Sequence, residues 1–176
     1  MKIDNVHTIS TKKGDRGTSK NYSNQSFQKD DILFDTLGTI DELSSVLGIT
    51  YHHTNHEKIK GIQATLQAIN ALIATDQTVH PERYEALRKI DERDIVALEE
   101  EGQKYLSQNP LEPRFVLPGS EASKGGAYFD LSRAVCRRAE RTLVRYVNHT
   151  ERNDLDGPKK YLNRLSDLLF ILARSF

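Results

Sequence analysis

Two stretches of this chain concentrate groups that bind anions. The first, Thr11-Lys12-Lys13-Gly14-Asp15-Arg16-Gly17-Thr18-Ser19-Lys20, places two glycines, several hydroxyls and four cations within ten residues. Glycines let backbone N–H groups approach an anion, hydroxyls donate further hydrogen bonds, and Lys or Arg neutralise the charge. The Gly-x-x-x-x-Gly-Lys-Ser/Thr spacing of a P-loop does not occur, and by itself the stretch also suits a solvated terminal loop. Lys29, just before Asp30-Asp31, either joins this loop or flanks a helix start. The second stretch holds Arg133, Arg137, Arg138, Arg141 and Arg145 with Glu140, all within thirteen residues. At about 100° per residue, Arg133, Arg137, Glu140 and Arg141 fall on one ridge opposite an apolar stripe. Five arginines and no lysine favour planar, bidentate recognition of phosphate or of paired carboxylates, although a solvated face has the same pattern.

A third group, Asn163-Arg164-Leu165-Ser166-Asp167, is interleaved with a leucine stripe. Asn163 offers both a donor and an acceptor, for a ligand or for an interhelical hydrogen bond, and Arg164 can pair with Asp167 along the helix. His52-His53-x-x-His56 has metal-like spacing, but no carboxylate set accompanies it, and no metal site is expected. Cys136 is the sole cysteine, which excludes an intrachain disulfide and a cysteine zinc site and points to a reducing, cytoplasmic setting. On the interior side of its helix it is expected to be a small buried hydrophobe.

The elements that must position these groups are helical. The chain has 176 residues with 25 Lys+Arg against 25 Asp+Glu, enough for one domain and too neutral for a general nucleic-acid binder. A mean hydropathy of −0.60 suits amphipathic helices with wet outer faces. The N-terminus carries an acid and no signal-like apolar run, and no window is apolar enough for a membrane span. Residues 1–30 show no sustained period and are expected to be loop, with residues 31–176 forming the bundle. Apolar residues at three- and four-residue steps predict a helix from Asp30 to about Thr54, with a capping box at Thr39 and Glu42 inside it. A second runs from near Glu57 to before the break at Thr78 to Pro81, and a third, interrupted region spans Tyr84 to Ser107. Phe115-Val116-Leu117-Pro118-Gly119 is a structured loop. Two further helices carry Tyr128 to Tyr146 and the segment after Gly157-Pro158. Five helical regions without a convincing strand predict an all-α antiparallel bundle.

Five blocks occur in an order that resembles the PduO-type ATP:cob(I)alamin adenosyltransferases. They are Thr11 to Thr18, Gly38-Thr39-Ile40-Asp41-Glu42-Leu43, Phe115 to Gly119, Arg133 to Arg141, and Tyr161-Leu162-Asn163-Arg164-Leu165-Ser166-Asp167. The resemblance covers nearly the whole chain and implies a five-helix, ferritin-like-looking bundle assembled as a homotrimer with active sites between subunits. It implies that ATP is held by Thr11, Lys12, Lys13, Gly14, Ser19, Lys20 and Lys29 from one subunit and by Arg137, Arg138, Glu140, Arg141 and Asn163 from its neighbour. It also implies that Asp41 pairs with Arg133 across the interface and that Phe115 displaces the lower axial ligand of cobalamin. The catalytic set is then Arg133, Asp41, Phe115 and Arg137, with ATP, Mg²⁺ and cob(I)alamin or cob(II)alamin as ligands. A reductase would supply electrons and an adenosylcobalamin-dependent enzyme would use the product.

In that reaction cobalt(I) is itself the nucleophile, so the protein needs positioning and charge stabilisation and no general base. Between Phe115 and Arg133 the chain is two residues longer than the family pattern, and Lys124-Gly125-Gly126 replaces an Ala-rich helix start. A divergent relative that binds ATP or carries adenosylcobalamin without turnover is the alternative expectation.

Overall fold

A computed structural model describes residues 3–10, 12, 14–119 and 123–176. Asp31 caps the first long helix, α2 (Ile32–Thr54), by accepting the Leu33 N–H at 2.8 Å, and Asn55 closes it in the left-handed region. Thr39 and Glu42 therefore do not form the expected capping box. Thr39 lies in mid-helix with its hydroxyl donating to the Asp35 carbonyl, and Glu42 pairs with Arg138. The remaining helices are α3 (Lys58–Ala74), the short α4 (Pro81–Glu85), α5 (Glu92–Gln108), α6 (Lys124–Thr150) and α7 (Asp156–Ser175). The third region is interrupted as expected, since α5 restarts with a capping box in which Asp91 and Asp94 satisfy each other's backbone N–H groups.

The described residues among 1–30 are more ordered than the sequence suggested. They contain a four-residue helix, α1 (Val6–Ile9), and a hairpin of β1 (Thr18–Lys20) and β2 (Ser26–Gln28), paired antiparallel with Ser19 opposite Phe27. The fold is thus mostly helical with one small two-stranded hairpin. Strands of three residues carry too little alternation to register in a sequence pattern, and the pairing is secured by Asn21, whose side chain accepts the Gln25 N–H at 2.9 Å.

Packing follows the order α3, α2, α6, α7, α5, each touching the next. The core lies where α2, α6 and α7 meet, with Ile40, Leu43, Leu47, Phe129, Leu143, Leu162, Leu165 and Leu169 at essentially zero exposure. Each such side chain contributes about 1.5–3 kcal/mol relative to exposure. Small polar residues let α2 and α6 approach closely. Thr50 and Ser132 share a buried hydroxyl hydrogen bond of 2.9 Å, and both also donate or lie close to backbone carbonyls, so no hydroxyl is stranded.

The end of α3 is closed by its own cap residue and by two long-range partners. Thr75 donates to the Ala71 carbonyl, Arg152 Nη2 to that of Leu72 at 3.1 Å, and the Tyr22 N–H to that of Ala74 at 2.9 Å. Arg152 in turn holds Asp154, which also accepts from Tyr84. This network ties the hairpin, α4 and the α6–α7 turn to one end of the bundle. Gly157, in the first turn of α7, lies so close to the Ile90 carbonyl that a Cβ there would come within 2.2 Å of the oxygen.

Gly157→Ala should therefore lower stability by about 2 kcal/mol in chemical denaturation, because backbone on both sides must shift. An unchanged midpoint would show that the linker before α5 yields freely. For Asp154, burial by itself would raise the carboxyl pKa, but the hydrogen bonds from Arg152 and Tyr84 outweigh it and hold the group below its ordinary value. Its stabilisation is then complete above the unfolded value of about 3.9 and lost as pH falls through the folded value. Asp154→Asn should cost about 3 kcal/mol at neutral pH. The gap between variant and parent should narrow below about pH 4. A gap that stays constant in acid would refute this account.

Candidate functional site

The ridge on α6 forms because the helix has neighbours on two flanks. Toward α2, Arg138 pairs with Glu42 and Arg145 with Asp35. Toward α7, the Cys136 thiol donates to the Leu162 carbonyl, and Glu140 accepts from Asn163 Nδ2 at 2.8 Å. What remains outward is Arg137 and Arg141, both exposed, and among the described residues neither has a hydrogen-bond or ion-pair partner. The ridge is thus divided: Arg138 is held by Glu42 on the α2 seam, whereas Arg137 and Arg141 face outward. Cys136 is fully buried, and burial pushes its thiol well up, so it is the expected small hydrophobe and no nucleophile.

Asn163 and Glu140 meet across the α6–α7 seam. Arg164 Nη1 donates to the Asn163 oxygen at 2.6 Å, while Arg164 Nε holds Glu99 of α5 at 2.8 Å. The amide is oriented by this chain, its nitrogen on a carboxylate and its oxygen on a guanidinium. The Arg164–Asp167 pair is present at 3.6 Å. Of the histidines, His53 stacks on Tyr128 with centroids 4.2 Å apart, and His56 is buried beside Tyr105, Phe129 and Phe176. The rings face different surroundings, and no group of three metal-capable side chains occurs among the described residues.

The hairpin settles the position of Lys29. Its N–H donates to the Gly17 carbonyl at 2.8 Å, and its ammonium lies against Gly14, where a Cβ would stand 2.9 Å from Nζ. Lys29 therefore belongs to the glycine loop. Gly17 has φ +79° and Lys12 φ +57°, both in the left-handed region. Ser19 and Lys20 follow on β1. Thr11 and Lys13 lie outside the described residues.

Glycine loop and arginine ridge sit on different flanks of the monomer. The hairpin hangs from the end of α3, the ridge is on α6, and α2 lies between those helices. Among the described residues no hydrogen bond or ion pair joins the two. Asp41, exposed on α2, lines an open apolar groove of 540 Å³ with Tyr22, Phe34, Leu37, Gln67 and Asn70. Phe115 stands 87% exposed on the connection between α5 and α6, which turns at Gly119 with φ +75°.

Sequence reasoning missed Asp130, a carboxylate only 3% exposed at the start of α6. It accepts from Arg133 Nε at 3.0 Å and from Arg174 Nη1 at 3.0 Å. Its signal was an acid three residues before Arg133, on the side of the helix that carries the arginines.

A sequence profile of the family described as cobalamin adenosyltransferase matches residues 9–176. The human corrinoid adenosyltransferase MMAB is 37% identical over 179 aligned residues, covering 98% of this chain and 70% of the human protein. A corrinoid adenosyltransferase of Citrobacter freundii is 32% identical, with 96% and 94% covered. Among solved structures, a variant PduO-type ATP:corrinoid adenosyltransferase from Lactobacillus reuteri, complexed with cobalamin and ATP, superposes with a TM-score of 0.85 at 29% identity, over 95% of this chain and 92% of that one. The likeness runs through glycine loop, ridge and closing helix alike, and the chain belongs to the cobalamin adenosyltransferase family.

Proposed function

We propose that the protein transfers the 5′-deoxyadenosyl group of ATP to the cobalt of cob(I)alamin, giving adenosylcobalamin and triphosphate. The observation that carries this reading is the pair of exposed arginines, Arg137 and Arg141, which hold no hydrogen bond or ion pair among the described residues, on a ridge where Arg133, Arg138, Arg145 and Glu140 each have a partner. Unpaired guanidiniums side by side suit a polyanion.

In this reading the cobalt(I) electron pair attacks C5′ of ATP, the C5′–O bond breaks, and triphosphate leaves with that bond's electrons. No proton transfer is required. Arg137 and Arg141 stabilise the charge gathering on the leaving triphosphate, with Lys12, Lys13, Lys20 and Lys29 of the glycine loop and the hydroxyls of Thr11 and Ser19 completing the cradle around Gly14. Glu140 and Asn163, already oriented by each other, take polar groups of the nucleoside. Arg138, held by Glu42 in an exposed pair, joins Arg137 and Arg141 at the triphosphate. Glu140, the acid of the ridge, would be the residue able to hold a Mg²⁺ brought by the triphosphate, which would neutralise charge on the leaving group.

Loop and ridge lie on separate flanks, so a single ATP contacting both is met by two copies of the chain. This supports a homotrimer with shared sites, in which Arg133 faces the partner subunit's Asp41. Phe115, too exposed for a core role, packs against the corrin face and excludes the lower axial donor, which eases reduction of cobalt(II). Electrons come from a separate reductase, and an adenosylcobalamin-dependent enzyme consumes the product.

Anaerobic absorbance spectroscopy with ATP, Mg²⁺ and chemically reduced cob(I)alamin tests the reaction. The cob(I)alamin band should decay to adenosylcobalamin faster than in protein-free controls, and ATP binding without decay would favour a nucleotide-binding relative. Arg137→Ala should weaken ATP binding or turnover by about 10²-fold while leaving thermal stability within about 0.5 kcal/mol. Loss of folding instead would make the ridge structural. Phe115→Ala should spare ATP affinity and slow adenosylation that starts from cobalt(II), and an equal loss of both would contradict its assigned role.

A further inference from the structure

Three guanidinium N–H groups converge on one buried carboxylate. Asp130 Oδ1 accepts Arg133 Nε at 3.0 Å and Arg174 Nη2 at 3.3 Å, and Oδ2 accepts Arg174 Nη1 at 3.0 Å. The Asp130 side chain is 3% exposed, that of Arg174 is 9% and that of Arg133 is 24%. Arg174 alone, bidentate and stacked over the Phe170 ring at 5.2 Å, already neutralises this carboxylate. Adding Arg133 leaves a formal excess of one positive charge at a nearly dry site, which a purely structural ion pair has no reason to build.

The excess charge is directed outward. Arg133 meets Asp130 through Nε, the edge of the guanidinium nearest its stem, and among the described residues its terminal nitrogens hold no hydrogen bond or ion pair. Arg133 stands one helical turn before Arg137, on the same ridge. We propose that Asp130 is a positioning residue that locks the rotamer of Arg133 so that its free fork lies along the ridge, aimed at an anionic oxygen. The inference rests on the adenosyltransferase reading above. The anion is a phosphate of ATP or the carboxylate of the partner subunit's Asp41, two sources of the same chemistry. By fixing a long side chain before the anion arrives, Asp130 removes ordering entropy from the binding step.

The test compares Asp130→Asn, Asp130→Glu and Arg174→Met in the full chain, with adenosylation of cob(I)alamin measured against ATP concentration and assembly measured by sedimentation. Wild-type turnover is the reference, and an inactive wild type would refute the adenosyltransferase reading before the variants are compared. With active wild type, Asp130→Asn should lower kcat/KM about tenfold per folded enzyme. The loss falls on the KM for ATP if the fork meets phosphate, and on assembly if it meets the partner subunit's Asp41. Arg174→Met should lower Tm while leaving kcat/KM within about twofold. If Asp130→Asn does not fold, Asp130→Glu, which keeps the charge but moves the oxygens by one methylene, is read the same way. Wild-type kinetics and assembly in the folded Asp130 variant would overturn the proposal, as would equal kinetic losses in the Asp130 and Arg174 variants.

Discussion

The long helix α6 is flanked by α2 on one side and α7 on the other, and satisfying both leaves a single outward face. That constraint organises the molecule. The apolar stripe from Phe129 through Val135, Ala139 and Leu143 must be buried, and the hydroxyls of Thr50 and Ser132 let α2 come close enough to bury it. Any polar group of α6 then either finds a partner on a flanking helix or faces outward. Arg138, Arg145 and Glu140 take the first course, Arg137 and Arg141 the second. A binding surface thus follows from packing, because the flanks absorb every charge they can reach.

The same division explains why a chain with no net charge can present a cationic site. Its acids are placed on the seams: Asp35 and Glu42 on α2, Glu99 on α5, Asp130 within α6. Exposed pairs of this kind contribute little to stability, typically under about 1 kcal/mol. Their consequence lies in geometry, since each holds an arginine or amide in one direction. Asp130 differs by being buried, and there a missing partner would leave a guanidinium in a dry setting.

At the opposite flank, the glycine loop depends on a helix end. The last carbonyls of α3 lack intrahelical donors, and the cap residue Thr75 together with Arg152 and the Tyr22 N–H from two distant parts of the chain supply them. Closing α3 in this way anchors the hairpin, and the hairpin places Lys29 against Gly14. The apolar groove beside Asp41 opens next to it. Among the described residues, loop and ridge are thus built by separate sets of contacts, the one at the end of α3 and the other along α6.

By itself the sequence determined the helices and the chemistry. Apolar residues at three- and four-residue steps marked the long helices, because a helix buries one stripe regardless of its partners. The residue types at Gly14, Arg137 and Arg141 pointed to an anion site, although a solvated loop and a solvated helix face use the same residues. Only the tertiary structure decided which arginines remain available. Arg138 and Arg141 are indistinguishable by type and nearly so by helical position, yet one faces Glu42 and the other faces outward. Nor did local pattern reveal the hairpin, whose strands are shorter than any readable alternation, or the role of Asp130, whose partners stand 3 and 44 residues away. Periodicity reports which face is buried, and only the packing of one helix against another fixes what each buried or exposed charge meets.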